Sequence, residues 1–225
     1  MGRLKWVVIV PVALVALGVA GSFVYVNFIA GDAPERLSVD GEDAGGDSAI
    51  DADISGTWTI GEGSQAGYRV PEILFGQETT AVGRTDDVEG AMTIDGRTVT
   101  DGNFTVHLET VTSDESRRDN QFRGRIMDVA NHPTARFELS EPIELGELPA
   151  AGQTKTFEAK GKLTLRGTTN DVVIPLEAKR TAAGIEVAGR YEVIFDDWQI
   201  PNPSFGPAQV GDKGELEFLL VLTKS

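Results

Sequence analysis

Four arginines form the densest group of positive charge in the chain, Arg117, Arg118, Arg123 and Arg125. Arginine makes bidentate hydrogen bonds to phosphate oxygens, so this group could bind a diphosphate or another polar head of a lipid. Carboxylates are interspersed among these arginines, at Asp114, Glu115, Asp119 and Asp128. The same segment therefore also fits a solvated helix whose arginines pair with neighbouring acids. The sequence supports both interpretations.

Other reactive side chains do not form the pattern of a catalytic or metal site. The chain has two histidines, His107 and His132, and no cysteine, whereas a zinc site needs three or four nitrogen or sulfur ligands. Asp196 and Asp197 are adjacent, so on a strand they point to opposite faces and cannot act as a carboxylate pair. No Gly-x-Ser-x-Gly nucleophile motif occurs. We expect no enzymatic activity, no metal and no cofactor.

A short helix must position the arginines. Thr112 and Glu115 have the three-residue spacing of a capping box, which predicts the start of the helix. Gly124 predicts its end, because glycine adopts the left-handed cap conformation without strain. If the helix instead continues through Gly124, one face carries Arg118, Phe122, Arg125 and Ile126. That face would direct apolar side chains into the domain and guanidinium groups to its mouth.

The rest of residues 54–225 alternates between apolar and polar side chains, which is typical of antiparallel strands with one buried face. About eight such strands can be counted, separated by turn signals. The clearest inward sets are Phe104, Val106 and Leu108; Phe157, Ala159, Gly161, Leu163 and Leu165; Ile185, Val187, Gly189, Tyr191, Val193 and Phe195; and Leu216, Phe218, Leu220 and Leu222. Eight strands can close into a barrel that holds one apolar ligand, but a filled sandwich or barrel has the same periodicity.

Residues 1–30 predict a membrane anchor. Positions 6–30 are almost entirely apolar and carry no charged residue. This stretch is long enough to cross a bilayer, and Arg3 and Lys5 precede it. The positive-inside rule then leaves the N-terminus in the cytoplasm and exports the remainder, so we expect a single-pass protein of the cell membrane. The alternative is a signal peptide cleaved after the small residues Gly18, Val19 and Ala20, which would release a secreted protein.

Residues 31–53 carry eight acids against the single Arg36 and have no aromatic side chain, which predicts a flexible acidic spacer. Residues 54–225 form the folded domain. The whole chain of 225 residues has a net charge of −15. Phosphate backbones repel such a surface, so we exclude nucleic acid as a partner.

Three segments resemble the YceI-like family in motif and order. They are SRRDNQFRGRIMDVANHPTARFEL at 116–139, GKLTLRGTTNDVVIPL at 161–176, and FDDWQIPNPSFG at 195–206. The resemblance covers roughly residues 54–222. It implies a lipocalin-like barrel with an elongated pocket that binds polyisoprenoid lipids.

Together these observations predict an all-β, antiparallel, eight-stranded lipocalin-like barrel with one short helical insertion, preceded by an N-terminal transmembrane helix. The resemblance implies that it binds an isoprenoid or similar long-chain lipid, for storage, shielding or transfer, beside its own membrane. The alternatives are a filled barrel serving as a structural or stress-related envelope module, and an enzyme acting on an envelope lipid or quinone. Predicted ligand contacts are the inward residues Tyr68, Val70, Phe104, Val106, Leu108, Phe122, Leu163, Tyr191 and Val193, with Arg118 at the mouth and Trp198 and Phe205 at the entrance.

Overall fold

The computed structural model describes residues 33–39, 53–150, 152–181 and 184–225. The predicted transmembrane helix, its signal-peptide alternative and positions 40–52 of the predicted spacer lie outside these residues. Among the residues that are described, no helix is long and apolar enough to cross a bilayer.

The described part of the chain consists mainly of thirteen strands. They are β1 (Gly56–Ile60), β2 (Gln65–Leu74), β3 (Gln77–Thr85), β4 (Val88–Asp95), β5 (Thr98–His107), β6 (Thr112–Ser113), β7 (Thr134–Leu139), β8 (Ile143–Glu144), β9 (Thr154–Leu165), β10 (Thr168–Arg180), β11 (Ile185–Ile194), β12 (Ala208–Val210) and β13 (Lys213–Lys224). One α-helix, α1 (Ser116–Gln121), leads into a π-helical turn, Phe122–Ile126. Short 3-10 turns cover Leu108–Thr110 and Phe195–Trp198.

Eight of these strands close into a ring. The order is β1, β4, β5, β7, β9, β10, β11 and β13, and β13 pairs with β1 through Trp58 and Lys224. Every pairing is antiparallel. The hairpin of β2 and β3 extends the wall, since β2 also pairs with β13. The predicted eight-stranded antiparallel barrel is therefore confirmed, and closure satisfies backbone groups that an open sheet would expose.

The predicted alternation sets the inner face of the wall. On β9, Phe157, Ala159, Leu163 and Leu165 line the interior. On β13, the four predicted inward residues from Leu216 to Leu222 do the same. A side-chain period of two therefore places the apolar sets of these two strands on the inner face of the barrel.

The two ends of the barrel differ. The helical end is formed by α1, the π-helical turn, the tip of the β2–β3 hairpin and residues 195–212. The hairpin end is formed by the turn that joins β4 to β5, by the adjoining ends of β10 and β11, and by residues 140–150 and 152–153 between β7 and β9. These two names are used below.

The local structure around α1 differs from the predicted caps. The N-cap is Glu115 itself, whose carboxylate accepts a hydrogen bond from the Arg117 amide at 3.0 Å. Gly124 does not end the helical segment, because the backbone continues through it in a π-helical turn closed by a 2.9 Å bond from Met127 N to the Phe122 carbonyl. Asp128 instead takes the left-handed conformation, with φ 51°.

Part of the predicted spacer packs on the barrel. In residues 33–39, Leu37 is 8% exposed and Val39 is fully buried. Arg69 and Arg84, on the outer faces of β2 and β3, donate hydrogen bonds to the carbonyl oxygens of Pro34 and Glu35. Residues 33–39, hereafter the strap, are therefore an ordered extension of the barrel, whereas acidic composition predicted a flexible segment.

Candidate functional site

The barrel encloses a cavity of about 1120 Å³. This is slightly above the range of about 300–1,000 Å³ that is typical of small-molecule sites. Its wall on β9 extends from Lys155 to Leu165, about 33 Å along the strand at about 3.3 Å per residue. With the usual strand tilt of about 40°, the cavity is about 25 Å long. The interior is therefore a long apolar chamber and not a packed core.

Ten of the twelve predicted contact residues line this cavity: Tyr68, Val70, Phe104, Val106, Leu108, Arg118, Phe122, Leu163, Val193 and Phe205. The strand residues reach the cavity because their positions alternate inward. Phe122 and Ile126 reach it from the π-helical turn, and the Phe122 ring stacks on Tyr68 with 5.1 Å between ring centroids. The helical insertion thus faces the barrel interior. Ligand contact by these residues stays a prediction.

Tyr191 and Trp198 do not line the cavity. The 3-10 turn Phe195–Trp198 folds the tryptophan back against β11, where the two rings meet edge to face at 6.0 Å. Trp198 is 2% exposed, and its indole N–H donates to the Leu163 carbonyl at 3.4 Å. Both aromatic rings therefore pack within the wall, beside the chamber.

Three close approaches of aromatic rings to glycines shape the wall. In each case, a Cβ atom added to the glycine would lie about 2.4–2.5 Å from the ring. The pairs are Tyr68 with Gly83, Phe137 with Gly161, and Phe218 with Gly189. Because the glycines leave room for the rings at the wall, large side chains surround the cavity without filling it.

Arg118 is the charged centre of the helical end. Its guanidinium bonds the carboxylate of Asp114 and lies 3.3 Å from that of Glu72, which is 8% exposed. Burial opposes its charge, but the carboxylates of Asp114 and Glu72 raise the pKa of Arg118. Burial also raises the pKa of the neighbouring Tyr68 phenol to about 12. The Arg118 charge is thus balanced within the protein.

The other three arginines of the predicted cluster separate. Arg117 lines the cavity. Arg123 donates to the Val111 carbonyl at 3.2 Å, and Arg125 donates to the carbonyls of residues 202, 203 and 204 at 2.8, 3.2 and 3.4 Å. Arg123 and Arg125 therefore hold loops in place. Predicting a shared face for Arg118 and Arg125 was wrong, because the π-helical turn alters the helical spacing between them.

The histidines lie apart from the cavity. His107 is on the outer face of β5, where its Nε2 is 3.3 Å from Glu89. His132 packs against Gly167 in the β9–β10 turn. Within the described ranges there is no group of three or more histidine, cysteine or acidic side chains that could hold a metal.

Sequence reasoning missed a second charged region, at the hairpin end. Lys155, Lys179 and Arg180 line the cavity there. Lys155 lies inward on β9, opposite Ala178 of β10, and Arg180 lies inward two residues further along β10. The signal was present, since Lys155 continues the inward series of Phe157 and Ala159. It was overlooked because the alternation pattern was read for apolar residues only.

The sequence of this chain matches the model of a known protein family over most of its length. A model of the YceI-like domain matches residues 58–222. The chain belongs to the YceI-like domain family. No curated protein sequence matches it significantly.

Solved structures of family members share the fold at low sequence identity. A polyisoprenoid binding domain from Saccharophagus degradans, implicated in plant cell wall breakdown, has a TM-score of 0.60 at 13% identity, covering 76% of this chain and 99% of that chain. BcnA of Burkholderia cenocepacia has a TM-score of 0.55 at 18% identity, with coverage of 70% and 95%. The Campylobacter jejuni YCEI protein reaches 0.51 at 16% identity, covering 64% and 84%. At these identities the likeness shows the YceI-like fold alone.

Proposed function

We propose that this protein binds an isoprenoid or similar long-chain apolar lipid inside the barrel, for storage, shielding or transfer. The observation that carries the proposal is the apolar chamber of about 1120 Å³ enclosed by a closed wall. Family membership supports it, since one solved relative is a polyisoprenoid binding domain. The role is binding and not catalysis.

The length of the chamber favours a long tail. At about 25 Å it exceeds half of the hydrocarbon core of a bilayer, which is about 15 Å for one leaflet. An extended tail that fills it is therefore longer than one leaflet is thick. Each buried methylene contributes about 0.8 kcal/mol, and a bilayer offers a similar gain, so loading and release are close to balanced.

We also propose that the barrel is held at the outer face of the cell membrane by residues 6–30. Two residues separate this apolar stretch from the strap, which begins at Ala33. At about 3.5 Å per residue, the barrel wall lies within about 10 Å of the end of the anchor. A lipid then has only a short distance to cross between membrane and chamber.

Mass spectrometry of the membrane fraction tests the proposed anchor. A retained full-length chain supports the anchor, whereas a chain shortened near residue 20 supports cleavage.

Native mass spectrometry of the full chain, followed by organic extraction, tests lipid binding. We expect one extractable long-chain lipid per protein. The Ala159→Trp variant should lose it, because Ala159 is 3% exposed and lines the cavity midway along β9. The matched control is Glu158→Trp, on the exposed outer face of the same strand, which should keep the lipid. A protein that is reproducibly empty and takes up no added polyprenyl lipid would contradict the proposal.

A further inference from the structure

Charge is distributed unevenly along the cavity. The lining carboxylates within the described residues all lie toward the helical end: Glu72, Asp114, Glu115 and Glu215. The wall at the hairpin end carries Lys155, Lys179 and Arg180 and, among the described lining residues, no carboxylate. An elongated ligand inside the chamber therefore meets acidic side chains together with Arg117 and Arg118 toward the helical end, whereas the charged lining residues described at the hairpin end are all cationic.

Two of these three cations have no acidic partner among the described residues. Lys179 pairs with Glu186 at 3.6 Å. Lys155 instead donates to the carbonyls of Leu145 and Glu147, at 2.7 and 2.9 Å, and no carboxylate of the described residues is within ion-pair distance of it. Lys155 is half-buried, and its ammonium lies 5.4 Å from the centre of the Phe157 ring, within the range of a cation–π contact.

Arg180 has unused hydrogen-bonding capacity. One terminal nitrogen donates to the Pro149 carbonyl, and no described carboxylate pairs with the guanidinium. Its Nε–H is buried and has no hydrogen-bond partner among the described residues. A buried donor without an acceptor is costly, so a ligand oxygen at this position would be stabilised.

We infer that the hairpin end binds the anionic head group, a phosphate or carboxylate, of the amphiphile whose tail fills the chamber. This inference rests on the proposed function. Lys155 supplies a point charge, and Arg180 supplies a planar fork of donors that matches such oxygens. The arginines of the helical end, which the sequence suggested for this role, are less suited to it. Arg118 is already neutralised by Glu72 and Asp114. Arg123 and Arg125 bond backbone carbonyls, and Arg117 is exposed to solvent, which screens its charge.

The test compares ligands that share one tail. Delipidated full chain is titrated with a polyprenyl monophosphate, the matching polyprenol and a long-chain fatty acid, in competition with a neutral fluorescent apolar probe. We expect the phosphate, the fatty acid or both to bind at least about tenfold more tightly than the alcohol, since charge-assisted hydrogen bonds exceed neutral ones. If neither the alcohol nor an anion binds, the proposed function itself fails. If the alcohol binds as tightly as both anions, only the head-group site fails.

Variants locate the head group. Lys155→Gln and Arg180→Gln should each weaken the preferred anion by about tenfold and leave the polyprenol within about twofold. The matched control for the first is Lys162→Gln, on the exposed outer face of β9, and for the second Arg190→Gln, exposed on β11; neither should change either affinity. Equal losses for anion and alcohol would mean that the two cations only hold residues 145–149 in place, and would overturn the inference.

Photo-cross-linking of the wild-type chain tests the position of the head group without depending on whether the variants fold. A polyprenyl phosphate carrying a photoreactive diazirine beside its head group is cross-linked, and the labelled peptide is identified by mass spectrometry. We expect labelling at residues 145–149 or 178–180. Labelling at residues 118–126 or 203–208 would place the head group at the helical end and overturn the inference.

Discussion

Phe218 of β13 and Gly189 of β11 are direct partners across two adjacent strands of the barrel. A Cβ atom at position 189 would lie 2.4 Å from Cζ of the phenylalanine and 2.9 Å from Cδ2 of Leu176. The ring thus occupies the space that a side chain at 189 would take. This relationship keeps a large aromatic residue at the wall and leaves the chamber open.

The Gly189→Ala variant should therefore be destabilised by about 1–3 kcal/mol, the cost of forcing a methyl group into space that the Phe218 ring already occupies. The control is Gly102→Ala on β5, another buried glycine with ordinary φ, whose added Cβ would meet its nearest atoms at 3.7 and 3.8 Å. That variant should shift stability by no more than about 1 kcal/mol. Denaturant unfolding measures both. Equal stability of the two variants would show that the Phe218 ring moves aside without cost.

Glu217 is a buried acidic residue that pairs with two arginines of the barrel wall. It is fully buried, and its carboxylate lies 2.7 Å from Arg84 and 3.4 Å from Arg69. Glu217→Gln leaves two guanidinium groups without their counterion beneath the strap, so we expect a loss of about 3–5 kcal/mol in unfolding free energy.

A matched exposed pair provides the control for this change. Glu192 on β11 pairs with Lys213 at 2.8 Å, with 60% and 57% of the two side chains exposed. Glu192→Gln should cost less than about 1 kcal/mol. A loss for Glu217→Gln as small as that of the control would mean that water enters beneath the strap once the carboxylate is removed.

The sequence predicted which residues of the barrel wall point inward, but not how the charged side chains are paired. Alternation of apolar side chains predicted the inward positions of Phe104, Val106 and Leu163, because a strand has a fixed period of two. It offered pairing of Arg118 with a nearby acid such as Asp114 as one of two interpretations. It could not predict the second partner, since Glu72 is distant in sequence and only the fold brings it near. Likewise, the acidic composition of residues 31–53 gave no sign that Val39 would be buried.

The phenol of Tyr68 should make the unfolding free energy fall as the pH rises through the alkaline range. Burial raises the pKa of its phenol from about 10 to about 12, so the folded state keeps a proton that the unfolded chain loses. The stabilising contribution is complete below pH 10 and disappears as the pH rises to about 12, a difference of about 3 kcal/mol. The unfolding free energy of Tyr68→Phe should therefore fall less steeply across this interval. Parallel pH profiles for variant and wild type would contradict the prediction, since both proteins keep the same lysines.

Arg125 should limit local opening of the loop that borders the helical end of the chamber. Its guanidinium holds three successive carbonyls, those of Asn202, Pro203 and Ser204. Arg125→Lys keeps the charge but not the planar fork, so a single ammonium cannot hold all three. We expect amide hydrogen exchange in residues 204–210 to accelerate about tenfold in this variant, and at least as much in Arg125→Ala, because each lost charge-assisted bond contributes about 1.5 kcal/mol. Exchange in residues 155–159 of β9, toward the hairpin end, should not change. If exchange in both variants matches the wild type, the loop is held by the Asn202 and Ser204 side chains, which bond the Val210 backbone, and the arginine is not needed.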